Sequence, residues 1–204
     1  MTISCLTPSV HQNVGPGRYT MPSNRWRLVH SKTLCKDDFI EARLHNYELP
    51  DGSLMEDFLI LSERDGVHVV AITPDDEVLL VQQYRAGIDG FTLECSAGFL
   101  EDGEDPLDRA QNELREETGY QAETWHMLGM LNPMPHRAHK TDHVFLAVGA
   151  RRLTGQDLDE TEYVRWRRVP LAQIEQMILG GSITSSTVIA LFYLVRSFLE
   201  QRAG

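Results

Sequence analysis

The chain has 204 residues, 42% of them hydrophobic, enough to bury one sizeable core but not several. Thirty acidic against 19 basic residues give a formal charge of −11, which excludes a broad electrostatic grip on nucleic acid and leaves any polyanionic substrate dependent on metal or local arginines. Cys5, Cys35 and Cys95 are odd in number, widely spaced and without a CxxC pair, a pattern that opposes a disulfide framework or a zinc site and fits a reducing cytoplasm.

In chain order, residues 1 to about 24 carry Pro, Gly, Ser and Asn without periodicity and read as a loose arm, able to order on a partner subunit. The first residues lack a basic start and an apolar core, so no signal peptide is expected. From Trp26 to Ile60, short alternating apolar runs broken by PDGS at 50–53 predict an antiparallel meander. Two β-branched runs, 67–73 and 78–84, flank Pro74, Asp75 and Asp76 and predict a hairpin. FTLECSAG follows as one short strand ending in a glycine.

Asp105 and Pro106 form a helix-start signature, and Gly119 suits a helix stop, so the spacing predicts a helix to about Thr118. HVFLAVGA at 143–150 and YVRWRRV at 163–169 read as strands around the acidic loop TGQDLDETE. A helix from about Pro170 to Leu179 should end at Gly180, and residues 185 to about 201 form a last helix with a wide apolar face. Its apolar stretch, VIALFYLV, is far shorter than the ~20 residues of a membrane span, so no membrane partner is expected.

The segment NELREETG at 112–119 gathers Glu113, Glu116 and Glu117 on one helical turn. Carboxylates at i, i+3 and i+4 are neighbours and repel by a few tenths of a kcal/mol per pair. At about 100° per residue, with Glu113 at zero, Glu116 falls near −60° and Glu117 near +40°, while Ala110, Leu114 and Leu107 fall near 60°, 100° and 120°. The acids thus edge a buried stripe, where repulsion grows and a bound Mg²⁺ is favoured. A solvated acidic face is the alternative.

Spacing extends the pattern. From Gly98, five residues lead to Glu104 and seven more to NELREETGY. This resembles the Nudix hydrolase signature G-x5-E-x7-R-E-U-x-E-E-x-G-U, with Asn112 standing where the signature has arginine. The resemblance implies an α/β fold (α+β in its mixed elements): a Nudix-type α/β/α sandwich with a mixed central sheet and an N-terminal antiparallel β extension. It implies residues 1–60 as arm and dimerisation meander, and 61–204 as the hydrolase domain. It also implies Mg²⁺, or Mn²⁺, held by Glu113 and Glu117, with Glu116 as a further ligand directly or through water and the Ala97 carbonyl as another. Arg109 falls near −40° on the wheel, one turn before the acids, and is the expected substitute for the missing box arginine.

LPDG at 49–52, VQQYRAG at 81–87, LECSAG at 93–98 and DETEYVRW at 159–166 are similar to the ADP-ribose pyrophosphatase branch. The similarity implies that Glu160 and Glu162 supply a general base on water and a metal ligand, assigned here as Glu160 the base and Glu162 the ligand with the reverse left open, and that Arg85 with Glu94, Gly98 and Glu104 are substrate-binding residues. The loop NPMPHRAHKTDH lacks a glutamate common in that branch and offers His136 and Arg137 to a phosphate or sugar, or simply a solvated loop. The activity implied is cleavage of a nucleoside diphosphate linked to a second moiety, foremost ADP-ribose to AMP and ribose 5-phosphate, by a homodimer. Another nucleotide sugar, or a sensing module that binds without turnover, is the alternative.

Overall fold

Turn chemistry sets the first strands. β1 (Arg27–Lys36) and β2 (Ile40–Glu48) join at Asp37, whose carboxylate accepts from the amides of Phe39 and Ile40, both at 2.8 Å. β2 reaches β3 (Leu54–Glu63) through the PDGS turn, where Gly52 takes φ 83°, a left-handed value that glycine adopts without strain. The three strands pair in meander order. This computed structural model describes residues 24–160 and 162–203; apart from Asn24, the expected N-terminal arm lies outside them.

The chain divides into two compact units. One holds Leu44–Phe58 with the described residues up to Lys32. There Trp26, Tyr47 and Phe58 meet edge to face at centroid distances of 5.6–6.0 Å. The other holds Thr33–Arg43 and everything from Leu59 onward.

The second unit continues with β4 (Gly66–Ile72), β5 (Glu77–Arg85), β6 (Gly90–Glu94), β7 (Ser96–Phe99), α1 (Pro106–Thr118), β8 (Tyr120–Gln121) and β9 (Thr124–Leu131). Then come β10 (Ala138–His139), β11 (Asp142–Val148), β12 (Arg151–Arg152), β13 (Arg165–Pro170), α2 (Ile174–Leu179) and α3 (Ser186–Ala203). The main sheet runs β13-β5-β4-β11-β9 and is mixed, since β11 is parallel to β4 and antiparallel to β9. β10 adds in parallel to β3 at Leu61 and Ser62.

Alternation along the strands builds two layers. Val67, Val69 and Ala71 of β4 pack with Leu79, Phe145 and Ala147 against Ala110 and Leu114 of α1. Val70 and Ile72 pack with Leu80, Val144 and Leu146 against Ile174 of α2 and Val188, Leu191 and Val195 of α3. Helices thus cover both faces, as expected of the α/β/α sandwich.

The hairpin expected over 67–84 forms only at its turn. Thr73 N–H donates to the Glu77 carbonyl at 2.8 Å, but only Ile72 and Val78 pair across the turn. Beyond it the strands part, and the segment expected as one strand, FTLECSAG, enters as two: β6 on β5 and β7 on β4. β4 is buried along nearly its whole length and β5 over Val78–Val81, so backbone groups that the two strands do not give each other need a further partner. β9 had no sequence signal: TWHMLGML does not alternate, Gly129 sits at φ 148°, and the ladder to β11 shifts register at Val144/Phe145. The helix expected from Pro170 begins as a 3₁₀ turn at Leu171–Gln173 before α2. Among the described residues no helix is long and apolar enough to cross a membrane.

Gly119 ends α1 at φ 76°, and a Cβ there would collide with the Thr154 carbonyl. Gly119→Ala is expected to lower stability by about 2 kcal/mol or more, from left-handed strain plus overpacking. The measurement is thermal unfolding, with an expected fall in Tm of roughly 4–8 °C.

Candidate active site

The site is built on α1 and the strand before it. Asp105 caps α1, its Oδ1 accepting from Leu107 N–H at 2.8 Å and Asp108 N–H at 3.2 Å. With Ala110 and Leu114 turned into the core, Glu113 and Glu117 come down against β7 and are 4% and 2% exposed. The glycine of β7 is required by contact: a Cβ on Gly98 would lie inside the Glu113 carboxylate.

Arg109 pairs with Glu113 one turn along, and its Nη1 lies 3.9 Å from Glu116 Oε2. Arg115 holds Glu116 Oε1 at 2.9 Å. The positive charge facing Glu113 thus comes from Arg109, while Asn112 lines a small hollow with Arg115, Gln121 and Trp125.

From β5, Gln83 Nε2 donates to Glu117 Oε1 at 2.7 Å. The other oxygen of Glu117 is buried without a well-formed hydrogen bond, although the Ser96 hydroxyl and Ala97 amide are beside it. Arg85 forks onto Glu94, Nε to Oε1 at 2.9 Å and Nη2 to Oε2 at 2.7 Å. Burial opposes ionisation of Glu94, yet Arg85 and the Thr92 hydroxyl hold its carboxyl below the usual range.

The acidic loop after β12 docks on the end of α1. Leu153 and Thr154 N–H groups donate to the Gly119 carbonyl, Asp157 N–H to that of Glu116 at 2.9 Å, and Gln156 Nε2 to those of Glu117 at 2.6 Å and Val164 at 3.1 Å. Carbonyls that a helix end leaves unpaired are thereby satisfied. Glu162, exposed, lies close enough that its charge raises both buried glutamates. Glu160 is exposed, and its neighbour Thr161 lies outside the described residues.

Glu104 closes the preceding loop, its carboxylate accepting from Glu101 N–H at 3.0 Å. His136 is exposed, and Arg137 donates from Nη1 to the Leu59 carbonyl at 3.1 Å, tied to β3. A cleft of about 850 Å³ opens between the Leu100–Glu104 loop and residues 138–143, lined by Glu104, His139 and Lys140 rather than by His136 and Arg137. Gln83 and Gln156 were not singled out from sequence. Gln83 stands two before Arg85, so the strand period placed both on one face; for Gln156 there was no such signal.

Burial, opposed by Arg109 and reinforced by Glu116 and Glu162, pushes the Glu113 carboxyl up to about 7. Burial and the Glu113 charge push Glu117 up to about 8. Between the ordinary value of 4.5 and about 8, the folded chain holds protons that the unfolded chain has released, so stability falls as pH rises through that window. We expect Tm in EDTA to drop from about pH 5 to pH 8, and the Tm gained on adding Mg²⁺ to grow over the same range.

The family model described as NUDIX domain matches residues 62–192. The chain belongs to the Nudix family. The "Methanol dehydrogenase activator" of Bacillus methanolicus is 33% identical over 82% of this Nudix chain and 94% of its own length. The "ADP-ribose pyrophosphatase" of Bacillus subtilis (strain 168) is 30% identical with the same coverage, and that of Mycobacterium tuberculosis is 29% identical over 83% of each chain. A solved structure described as "ADP compounds hydrolase" superposes with a TM-score of 0.76 at 21% identity, covering 87% of this chain and 96% of that one. The chain is a Nudix hydrolase with the Nudix fold.

The residues fit a hard divalent cation: the donors are carboxylate oxygens, one Glu117 oxygen lacks a proper partner, and both buried acids resist ionising alone. Among the described residues no three His, Cys, Asp or Glu side chains form a ready cage. Glu113 is turned to Arg109 and Glu117 to Gln83.

Proposed function

We propose that this Nudix hydrolase cleaves the diphosphate of a nucleoside diphosphate linked to a second moiety, foremost ADP-ribose to AMP and ribose 5-phosphate, with Mg²⁺ or Mn²⁺. The observation that carries this is the pair Glu113 and Glu117, buried beside Gly98 with their carboxyls pushed up to about 7 and about 8, so that a cation would favour their charged forms. Glu113, Glu117, the Ala97 carbonyl, Glu116 and Glu162 would hold the metal. When bound, the cation neutralises the diphosphate and acidifies the attacking water. Glu160, or Glu162 in its place, would take a proton from the attacking water, and Arg85, held in place by Glu94, would bind a phosphate oxygen. Gly98 and Glu104 shape the loop beside it.

The pyrophosphatase relatives from Bacillus subtilis and Mycobacterium tuberculosis support ADP-ribose as the first substrate to try. The test is phosphate release from the products by a coupled phosphatase, across a panel of nucleotide sugars, with Mg²⁺, Mn²⁺ and EDTA. Turnover of no diphosphate while ADP-ribose still binds would overturn hydrolysis in favour of sensing.

Asn112 is the residue that favours sensing, and Arg109 is the counterweight. Arg109→Ala is expected to lower kcat/KM on the order of 10–100-fold, as for loss of a group that orients a ligand, with Arg109→Lys retaining part of it. Unchanged activity and metal affinity in Arg109→Ala would remove Arg109 from the site. We further read residues 1–60 as a dimerisation segment ahead of the hydrolase domain at 61–204. Exposed Leu28, Val29 and Leu34 on β1 support a homodimer, which light scattering tests. Unpaired Cys35 and Cys95 are in keeping with the cytoplasm.

A further inference from the structure

Behind the box strand lies a second charged cluster that the chemistry above does not use. Asp142 and His68 occupy the alternating positions of β11 and β4 that carry Val144 and Val70 further along, so they lie on the α2/α3 face of the sheet. Asp142 is 2% exposed, with Oδ2 at 3.2 Å from His68 Nε2 and Oδ1 without a hydrogen bond. The Lys140 ammonium lies 3.8 Å from that Oδ1, 3.2 Å from Glu63 Oε2 and 4.9 Å from the centre of the Phe99 ring.

Gly66 permits this convergence. A Cβ there would stand 2.9 Å from Asp142 Oδ1 and 3.2 Å from the Gly98 carbonyl oxygen. The cluster therefore lies on the face of the β4–β7 pair opposite the one that admits Glu113. Asp142 is buried while Lys140, Glu63 and His68 are partly exposed, Lys140 and Glu63 on the wall of the cleft; replacing a buried charge pair by apolar side chains is often neutral or stabilising, so a cluster of this kind is in keeping with a role in placement.

We propose that Lys140 is a positioning residue: by joining Glu63 of β3, Asp142 of β11 and the Phe99 ring, it fixes the Ala97–Gly98 end of β7 and so the slot that receives the Glu113 carboxylate. The proposal rests on the reading of Glu113 and Glu117 as metal ligands. Phe99 follows Gly98 directly and pairs with Gly66, so a contact that anchors its ring is one residue from the slot.

Three variants test it: Lys140→Arg, Glu63→Gln, and Lys140→Met with Asp142→Asn, the last arranged so that no buried carboxylate is left unbalanced. Without substrate, Mn²⁺ affinity is read from the free-ion paramagnetic resonance signal, and amide exchange is read over residues 96–99 in metal-free protein. The double variant is expected to bind Mn²⁺ about tenfold more weakly, to exchange faster at 96–99 than at 144–147, and to lose kcat with KM unchanged. Glu63→Gln should fall between, and Lys140→Arg should keep wild-type values. Wild-type affinity and exchange in the double variant, or faster exchange spread evenly over β4, β7 and β11, overturns the proposal. If wild-type protein neither binds Mn²⁺ nor cleaves any diphosphate, the functional reading fails, while exchange at 96–99 still decides the role of Lys140.

Discussion

Gly98→Ala is expected to lower kcat for diphosphate hydrolysis on the order of 10²–10³-fold while leaving a folded protein. The added Cβ would occupy the place of the Glu113 carboxylate, so either β7 retreats or Glu113 swings out of its slot. Overpacking of this kind costs about 1–3 kcal/mol, which a domain of this size survives. Losing the placement of one charge-stabilising group costs on the order of 10²–10³ in kcat. Steady-state assay with thermal unfolding checks both parts. Near-wild-type kcat in folded Gly98→Ala would show that Glu113 need not occupy the slot, and would take the first ligand out of the proposed site.

Glu117→Gln is the second large effect, and it should move activity and stability in opposite directions. The amide is nearly isosteric and can still meet Gln83 by turning its oxygen to the Nε2 donor, but it carries no charge for a cation. Activity should fall on the order of 10²–10³-fold. Because burial pushes Glu117 up to about 8, ionising it opposes folding, and the neutral variant escapes that opposition. In EDTA at about pH 8 the variant should unfold at higher temperature than wild type, the difference shrinking towards pH 5 where both are neutral. A lower Tm at pH 8 would contradict the burial argument even if activity fell.

Much of this was legible without tertiary structure. The cap at Asp105, the stop at Gly119 and the edge formed by Glu113 and Glu117 beside Ala110 and Leu114 all follow from contacts within four residues of chain, which periodicity encodes directly. Arg109 could be placed against Glu113 for the same reason. The hairpin shows where local reading stopped: its turn was correct, but whether β4 and β5 remain partners was decided by β6 and β7, which compete for the same edges.

What the amino-acid order determined by itself, then, is the acidic helix, its caps and the family pattern, because i, i+3 and i+4 neighbours meet in any α-helix. Only the tertiary structure decided what surrounds them. Gln83 on Glu117, Gln156 across the helix end, Lys140 between Glu63 and Asp142, and Arg137 tied to β3 join residues far apart in sequence. Those meetings depend on how the sheet packs against its helices, and burial beneath that packing, more than the neighbouring charges, pushes the Glu113 and Glu117 carboxyls up.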